Sequence, residues 1–305
     1  MHARLSFIHV LSPLHAGTGQ GSGIIDLPIA REKATNLPYL PGSSLKGTLK
    51  SHYTGANKEQ IYGADKLDTY NEDHGASSVQ ISDQKLLLLP VRSLAGVFAW
   101  VTCPYVLHRL ERDIKTTSVN ATNNFSIAIP AISNEKCLVA KAVPNGGKAV
   151  KSAISMDVGQ DKAVYLEDLD FPAAENADVT QWARWIGARI FPNSQEWQDL
   201  LVERICVVHD DLFAFLLETA TEVTARIRLQ EESKTVESGG LWYEEALPTE
   251  TILWGLVLAT PRGNTSLSPE NIFDAVGRQS GQLLQFGGHA TIGRGLCRFY
   301  LSAKR

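Results

Sequence analysis

Between a strand-like start and the first clear helix signal, the 28 residues from Leu14 to Pro41 carry Gly17, Gly19, Gly21, Gly23, Pro28, Pro38 and Pro41. No regular element runs through that density of glycine and proline: glycine weakens helix and strand interiors, and proline lacks an N–H. The chain must therefore fold as a body that holds a long irregular arm. Such stretches are uncommon inside compact domains and tend to carry function. The 305 residues, 44 % of them hydrophobic and 20 % charged, suffice to build that body and are too apolar for a disordered chain. At ~100–200 residues per domain the length allows one elaborated domain or two small ones.

Around the arm, strand and helix patterns alternate irregularly. Ala3 to Pro13 alternates as a strand, Gly42-Ser43-Ser44 opens a helix, and Lys46 and Lys50 fall one turn apart on it. Residues 62 to 83 read as a polar loop. Gln84 to Pro90 and Arg92 to Thr102 read as strands, and Pro104 to Lys115 as a helix with proline in its first turn. Strand-like stretches follow at Phe125 to Ala131, Cys137 to Val143 and Ala163 to Leu169, with a turn signal at Asn145-Gly146-Gly147-Lys148. Helical spacing marks Val179 to Phe191 and Trp197 to Cys206. Thr219 to Leu229 and Thr251 to Ala259 read as strands, Pro269 to Leu284 as the last helix, and Gly295 to Leu301 as a closing strand. Without regular βαβ spacing, the expected class is α+β with a mostly antiparallel sheet.

Charge and cysteine content narrow the function. The 29 Lys+Arg against 33 Asp+Glu give a net charge of -4, which argues against a free-standing nucleic-acid binder but says nothing of a local groove. The four cysteines, Cys103, Cys137, Cys206 and Cys297, are too scattered for a zinc ribbon or a compact disulfide framework. No run approaches the ~18 apolar residues of a membrane helix, and Met1 to Val10 lacks a signal peptide's apolar stretch, so a soluble, intracellular chain is expected.

Four segments can carry chemistry. The glycine run from His15 to Gly21 suits close backbone approach to a ligand, but it matches neither a dinucleotide fingerprint nor a P-loop. Asp26, framed by Gly23-Ile24-Ile25 and Leu27-Pro28, is either a turn-capping carboxylate or one aimed at a ligand, and His15 can face the same site. The run Gly287-Gly288-His289-Ala290-Thr291-Ile292-Gly293-Arg294-Gly295 is either a tight backbone against an anionic strand or a helix C-cap followed by a bulge. Trp242-Tyr243-Glu244-Glu245 sets rings that can stack on bases beside carboxylates that can bind a divalent ion, or else is a strand end with a packed Trp.

The first two of these segments, with Arg31-Glu32-Lys33 and Pro38-Tyr39-Leu40-Pro41-Gly42-Ser43-Ser44-Leu45-Lys46-Gly47, together resemble the RAMP superfamily of CRISPR proteins. The likeness is narrower still to the backbone subunits of type III-B (Cmr) effectors. The terminal motif from Phe286 to Gly295 is similar to that family's glycine-rich ending, and Leu241 to Glu245 sits where the family has an aromatic–acidic segment.

The resemblance implies a single elaborated RAMP domain over residues 1–305, with an RRM-like (ferredoxin-like) palm. Inserted fingers are expected at about 54–83 and a thumb hairpin at about 157–174. It also implies copies stacked head to tail in a helical filament on a guide (crRNA), other Cmr subunits as partners, and a cytoplasmic location away from membranes. Each thumb would displace a nucleotide of the guide–target duplex, while base pairing supplies the sequence reading.

In the family, an Asp at the place of Asp26 is required for target-RNA cutting with a divalent metal, Mg2+ or Mn2+. That makes Asp26 the catalytic and metal-binding candidate, with His15 and Glu244 as further catalytic candidates. The RNA-binding candidates are Gly17, Thr18, Gly19, Lys46, Lys50, Trp242, His289 and Arg294. Two rival readings stand beside this one. The first is a non-catalytic guide-binding scaffold of the same superfamily, in which Asp26 only braces a loop. The second is a metal-independent endonuclease that processes precursor guide RNA with His15 as general base.

Overall fold

The run Ile-Leu-Trp-Gly-Leu-Val-Leu-Ala at Ile252–Ala259 is almost wholly buried, as a strand covered on both faces must be, and the sheet is organised around it. The computed structural model describes residues 2–19, 21, 23–64, 77–117, 125–145, 148–230, 232–260 and 267–303. The first elements are β1 (His2–Val10), β2 (Tyr39–Leu40), α1 (Gly42–His52), α2 (Lys58–Tyr62), β3 (Val79–Ile81), β4 (Gln84–Arg92), β5 (Phe98–Thr102) and α3 (Pro104–Thr117). The middle holds β6 (Cys137–Ala140), β7 (Val143–Asn145), β8 (Lys148–Val150), β9 (Met156–Val158), β10 (Asp161–Leu166), β11 (Leu169–Asn176), α4 (Ala177–Ile190), α5 (Gln195–Arg204), β12 (Ile205–Val207) and α6 (Asp210–Thr219). The last part has β13 (Glu222–Leu229), β14 (Val236–Ala246), β15 (Ile252–Ala259), α7 (Pro269–Gly277), β16 (Leu283–Gln285) and β17 (Leu296–Leu301).

The main sheet runs β16-β17-β1-β15-β4-β5-β12-β6-β11-β10-β9, with β2 on β4 and β3 on β15. Only β11–β6 and β12–β5 are parallel among its pairs, so α+β with a mostly antiparallel sheet is the class. β1 lies between β15 and β17, with Phe7 opposite both Trp254 and Tyr300. Both ends of the chain therefore build the centre of one sheet. Helix α3 packs against β1, β4 and β15, and α7 against β15 and β17. A buried ion pair, Lys85 Nζ to Asp113 Oδ2 at 2.7 Å, joins β4 to α3, and Trp254 Nε1 donates to the same oxygen at 3.1 Å.

Two elements depart from expectation. Residues 125 to 131 are extended but join no strand ladder; the Trp182 Nε1 donor on Ala128 O and the Phe125 ring against Trp182 and Trp185 hold them instead. The helix expected at Pro269 to Leu284 stops at Gly277, and its last residues become β16, paired with β17. Ser268 and Asn271 close a capping box at its start. Residues 157–174, the expected thumb, form a β9–β10–β11 meander at one edge of the main sheet. A hairpin outside that sheet is β13–β14, and a second, small one is β7–β8. The expected fingers at 54–83 include α2 and β3, and their residues 65–76 lie outside the described residues. Among the described residues no helix is long and apolar enough to cross a membrane.

Candidate functional site

The arm is irregular and yet firmly tied, and its anchor is β14. Leu27 N donates to Tyr243 O at 3.1 Å, and Glu245 N donates to Leu27 O at 3.0 Å, a parallel bridge outside any regular strand. Just before it, Asp26 is exposed, and its Oδ2 accepts from Tyr243 N at 2.8 Å. The capping reading of Asp26 thus finds its backbone donor in Tyr243 N. One carboxylate oxygen caps a backbone donor, and that bond aims the group outward from the arm.

His15 is buried against the same strand. Its Nδ1 lies 2.7 Å from Glu245 O. A carbonyl only accepts, so Nδ1 carries the hydrogen and Nε2 of the neutral ring keeps the lone pair. A Cβ at position 17 would collide with that Nε2, so glycine at 17 leaves the nitrogen its space. Gly287, at φ +71°, presses on the other side: a Cβ there would strike His15 O, which accepts from Gly288 N at 3.0 Å. The N-terminal and C-terminal glycine motifs therefore close around one imidazole.

Glu244 has the opposite character from Asp26. Its side chain is 2 % exposed and faces Arg226 Nε at 3.2 Å, Arg294 Nη1 at 3.5 Å and His289 Nε2 at 3.7 Å, while Trp242 Nε1 donates to it at 2.9 Å. Burial alone would raise its pKa; the Trp242 hydrogen bond, with His289 and Arg226, overrides that and holds it below the usual carboxylate range. Burial lowers the pKa of His289, Glu244 opposes that, and the neighbouring His15 ring and the Arg294 and Arg226 charges push it down further. The His15 and His289 ring centroids are 5.0 Å apart. His289 itself sits in the left-handed region at φ +64°, opening the short 3-10 turn Ala290–Ile292.

Two shallow grooves flank α1 and share Ser43. One, of about 480 Å3, is lined by Gly17, Ser44, Gly47, Thr48, Gln285 and Gly288 among others; the second, of about 430 Å3, is lined by Lys46 with Ser77 and Gln80. The Lys46 ammonium is pushed down by burial and then by Lys50, a like charge one turn away. Thr18 and Gly19 are exposed at the lip of the arm.

The structure therefore brings together His15, Gly17, Asp26, Glu244, Trp242, His289 and Arg294 around β14. Lys46 and Lys50 stand apart on α1. Arg294 is 8 % exposed and turned onto Glu244, with Nη2 also 3.5 Å from Thr224 Oγ1, so it neutralises a buried carboxylate. Sequence reasoning left Glu245 without a role, and it is the most connected residue of the site. Its buried side chain accepts from Ile29 N at 3.1 Å, Arg31 Nη2 at 2.5 Å and Thr221 Oγ1 at 3.0 Å. Alternation along β14 was the available signal: successive residues face opposite sides, so Glu244 and Glu245 cannot share a task.

Comparison with known proteins bears on this constellation. Residues 7–300 match the RAMP superfamily profile. The chain is 34 % identical to the CRISPR system Cmr endoribonuclease Cmr4 of Pyrococcus furiosus, over 99 % of this chain and 96 % of that one. It is 27 % identical to the CRISPR system CMR subunit Cmr4 of Saccharolobus solfataricus, over 95 % and 93 %. The crystal structure of oligomeric Cmr4 from Pyrococcus furiosus superimposes with a TM-score of 0.72 at 27 % identity, covering 99 % of this chain and 98 % of that one.

Proposed function

The chain belongs to the RAMP superfamily, and from that premise we propose that it is the backbone subunit of a type III-B Cmr effector, which stacks with copies of itself on a guide RNA and cleaves the paired target RNA. The observation that carries this reading is the strap of the arm onto β14, which places the Asp26 carboxylate and the His15 imidazole on the same three residues, Tyr243 to Glu245. The palm is RRM-like, built on the sheet around β1 and β15. In this arrangement the β13–β14 hairpin, rather than residues 157–174, serves as the thumb, because it stands outside the main sheet and carries the site at its base.

The chemistry follows from what these groups can do. A nucleotide pried from the duplex can turn its ribose 2′-OH in line with the adjacent phosphorus, so positioning supplies much of the rate. His15 Nε2, free of a hydrogen in the neutral ring, accepts the proton of that 2′-OH as the new O–P bond forms and the P–O5′ bond breaks, the leaving 5′-oxygen taking its proton from water. A carboxylate is a weak base for an alcohol, so Asp26 orients the hydroxyl or holds a cation with the oxygen that Tyr243 N leaves free. Among the described residues, no group of three or more His, Cys, Asp or Glu side chains gathers as a metal cage. One outward carboxylate suits Mg2+ or Mn2+, which keep several waters and share RNA phosphates, and Asp26 would hold such an ion. When bound, the ion supplies positive charge to the phosphate as it gains negative charge. The glycine-lined groove, with Thr18 and Gly19 at its lip and Lys46 and Lys50 on α1, follows the guide backbone. Trp242 and His289 flank the displaced target nucleotide.

The test is a reconstituted effector carrying Asp26→Ala. Target binding is expected to persist while cutting falls by at least about 100-fold; undiminished cutting removes Asp26 from the mechanism. Chelating divalent ions is expected to stop cutting by the wild-type complex, and full activity after chelation would remove the metal.

A further inference from the structure

Glu245 makes five contacts that converge on the cleavage apparatus from one position. Its carbonyl oxygen accepts from His15 Nδ1 at 2.7 Å, and its amide donates to Leu27 O at 3.0 Å, one residue past Asp26. Its Oε2 accepts from Ile29 N at 3.1 Å, and its Oε1 from Arg31 Nη2 at 2.5 Å and Thr221 Oγ1 at 3.0 Å. Arg31 is in turn fixed by the carbonyls of Asn36 and Leu217, each at 3.0 Å, so the strap reaches back to α6. The Glu245 side chain is 4 % exposed and that of Arg31 18 %, which makes this a largely desolvated, charge-assisted junction. The Glu244 side chain, next along the strand, points the other way, onto Arg226, Arg294 and His289.

We infer that Glu245 is the positioning residue of the cleavage site: it sets His15 and the Asp26 arm in mutual register on the base of the β13–β14 hairpin, and touches no RNA itself. The inference rests on the cleavage reading above. Its physical basis is the lever from Ile29 and Arg31 back to Asp26. A glycine-bordered arm has little stiffness of its own, and among the described residues the Asp26 side chain is held by one hydrogen bond, from Tyr243 N. With the anchor loosened, the carboxylate samples positions away from the scissile phosphate, and a displacement of ~1 Å can cost about 100-fold in rate.

The experiment uses the reconstituted effector with Glu245→Gln, an isosteric change whose amide nitrogen cannot accept from Ile29 N or Arg31. Three quantities are read: the cleavage rate at saturating target, the target affinity, and amide exchange at Leu27 and Ile29 against β15 as an internal reference. The expected result is a 10- to 100-fold slower rate, affinity within twofold, and faster exchange in the arm alone. Thr221→Val, which removes one acceptor bond and keeps the ion pair, is expected to give a smaller loss in the same direction, and it decides the matter should Glu245→Gln not fold. An unchanged rate with either folded variant overturns the inference, as does a rate that falls in step with affinity, since that marks general structural support. Asp26→Ala is run beside them. If it cuts like wild type, the cleavage reading itself has failed, whereas a dead Asp26→Ala with an intact Glu245→Gln rejects only the positioning role.

Discussion

Glu244 and His289 bind each other's titration to the stability of the site. Two guanidinium groups, one imidazole and one indole surround the Glu244 carboxylate, so removing the carboxylate leaves Arg294 buried without that counter-charge. Glu244→Ala is therefore expected to destabilise by about 3–5 kcal/mol in chemical unfolding, the scale for breaking a buried pair. A loss under 1 kcal/mol would mean that water reaches the cluster. Burial keeps the His289 pKa below its ordinary 6.5, so the unfolded chain takes up this proton at a higher pH than the folded one. Stability from this group is then full above that value and falls as the pH drops below it, by at most about 1.4 kcal/mol per pH unit. Glu244 acts in the same sense further down: its folded pKa lies below the usual carboxylate value, so its contribution disappears as the pH falls through that lower value. His289→Gln should flatten the melting temperature against pH between 7 and 5.5, and an unchanged slope rejects the assignment. The residues of this site were legible in the sequence as types and neighbourhoods, not as partners. His15, Asp26 and the Gly287–Gly295 run stood out, yet nothing local tells that Arg294 turns inward on Glu244. Contacts spanning more than 200 residues, such as His15 to Glu245, leave no mark in local spacing.

At the scale of elements, the β13–β14 hairpin has two unlike faces. One carries Val223, Ala225, Ile227 and Leu229 opposite Glu245, Tyr243, Leu241 and Val236; the other carries Thr224, Arg226 and Arg228 with Trp242 and Glu244. The second face meets the C-terminal glycine motif through Arg294 and His289. Beyond the buried Glu245 at its base the first is bare, with Ile227 and Leu241 each 54 % exposed. Ile227→Glu is therefore expected to change the unfolding free energy of the isolated chain by no more than about 0.5 kcal/mol; a loss above 1.5 kcal/mol would show the face packed within the monomer. Elements with a sustained period and local stop signals, such as β1, α3, α4 and β15, follow from the sequence alone. Those decided by distant partners do not. The segment from Leu283 to Gln285 has helical neighbours but is drawn into the sheet by β17, and residues 125 to 131 look like a strand while tryptophans on α4 hold them outside any ladder. The segment from Val207 to Leu216 resists reading because it is two elements: the end of β12 and then α6, whose start His209 caps by accepting from Asp211 N.

For the whole molecule, the arrangement of the site within one chain predicts how an assembly behaves. With a net charge of -4, the proposed guide path along the glycine-lined groove and the lysines of α1 would have each copy engage its own stretch of backbone. The bonds that set the proposed cleavage site, His15 to Glu245, Asp26 to Tyr243 and Arg31 to Glu245, are all made within a single chain. No neighbouring copy is needed to complete them, and cuts along the target should therefore be independent events. Effectors assembled from wild-type and Asp26→Ala chains in known proportion would test this by quantifying each product band. The yield at every cut position should fall linearly with the mutant fraction, at unchanged spacing. A dependence on the square of the wild-type fraction would mean that two adjacent copies build each site, and the single-chain strap would then be only half of the apparatus.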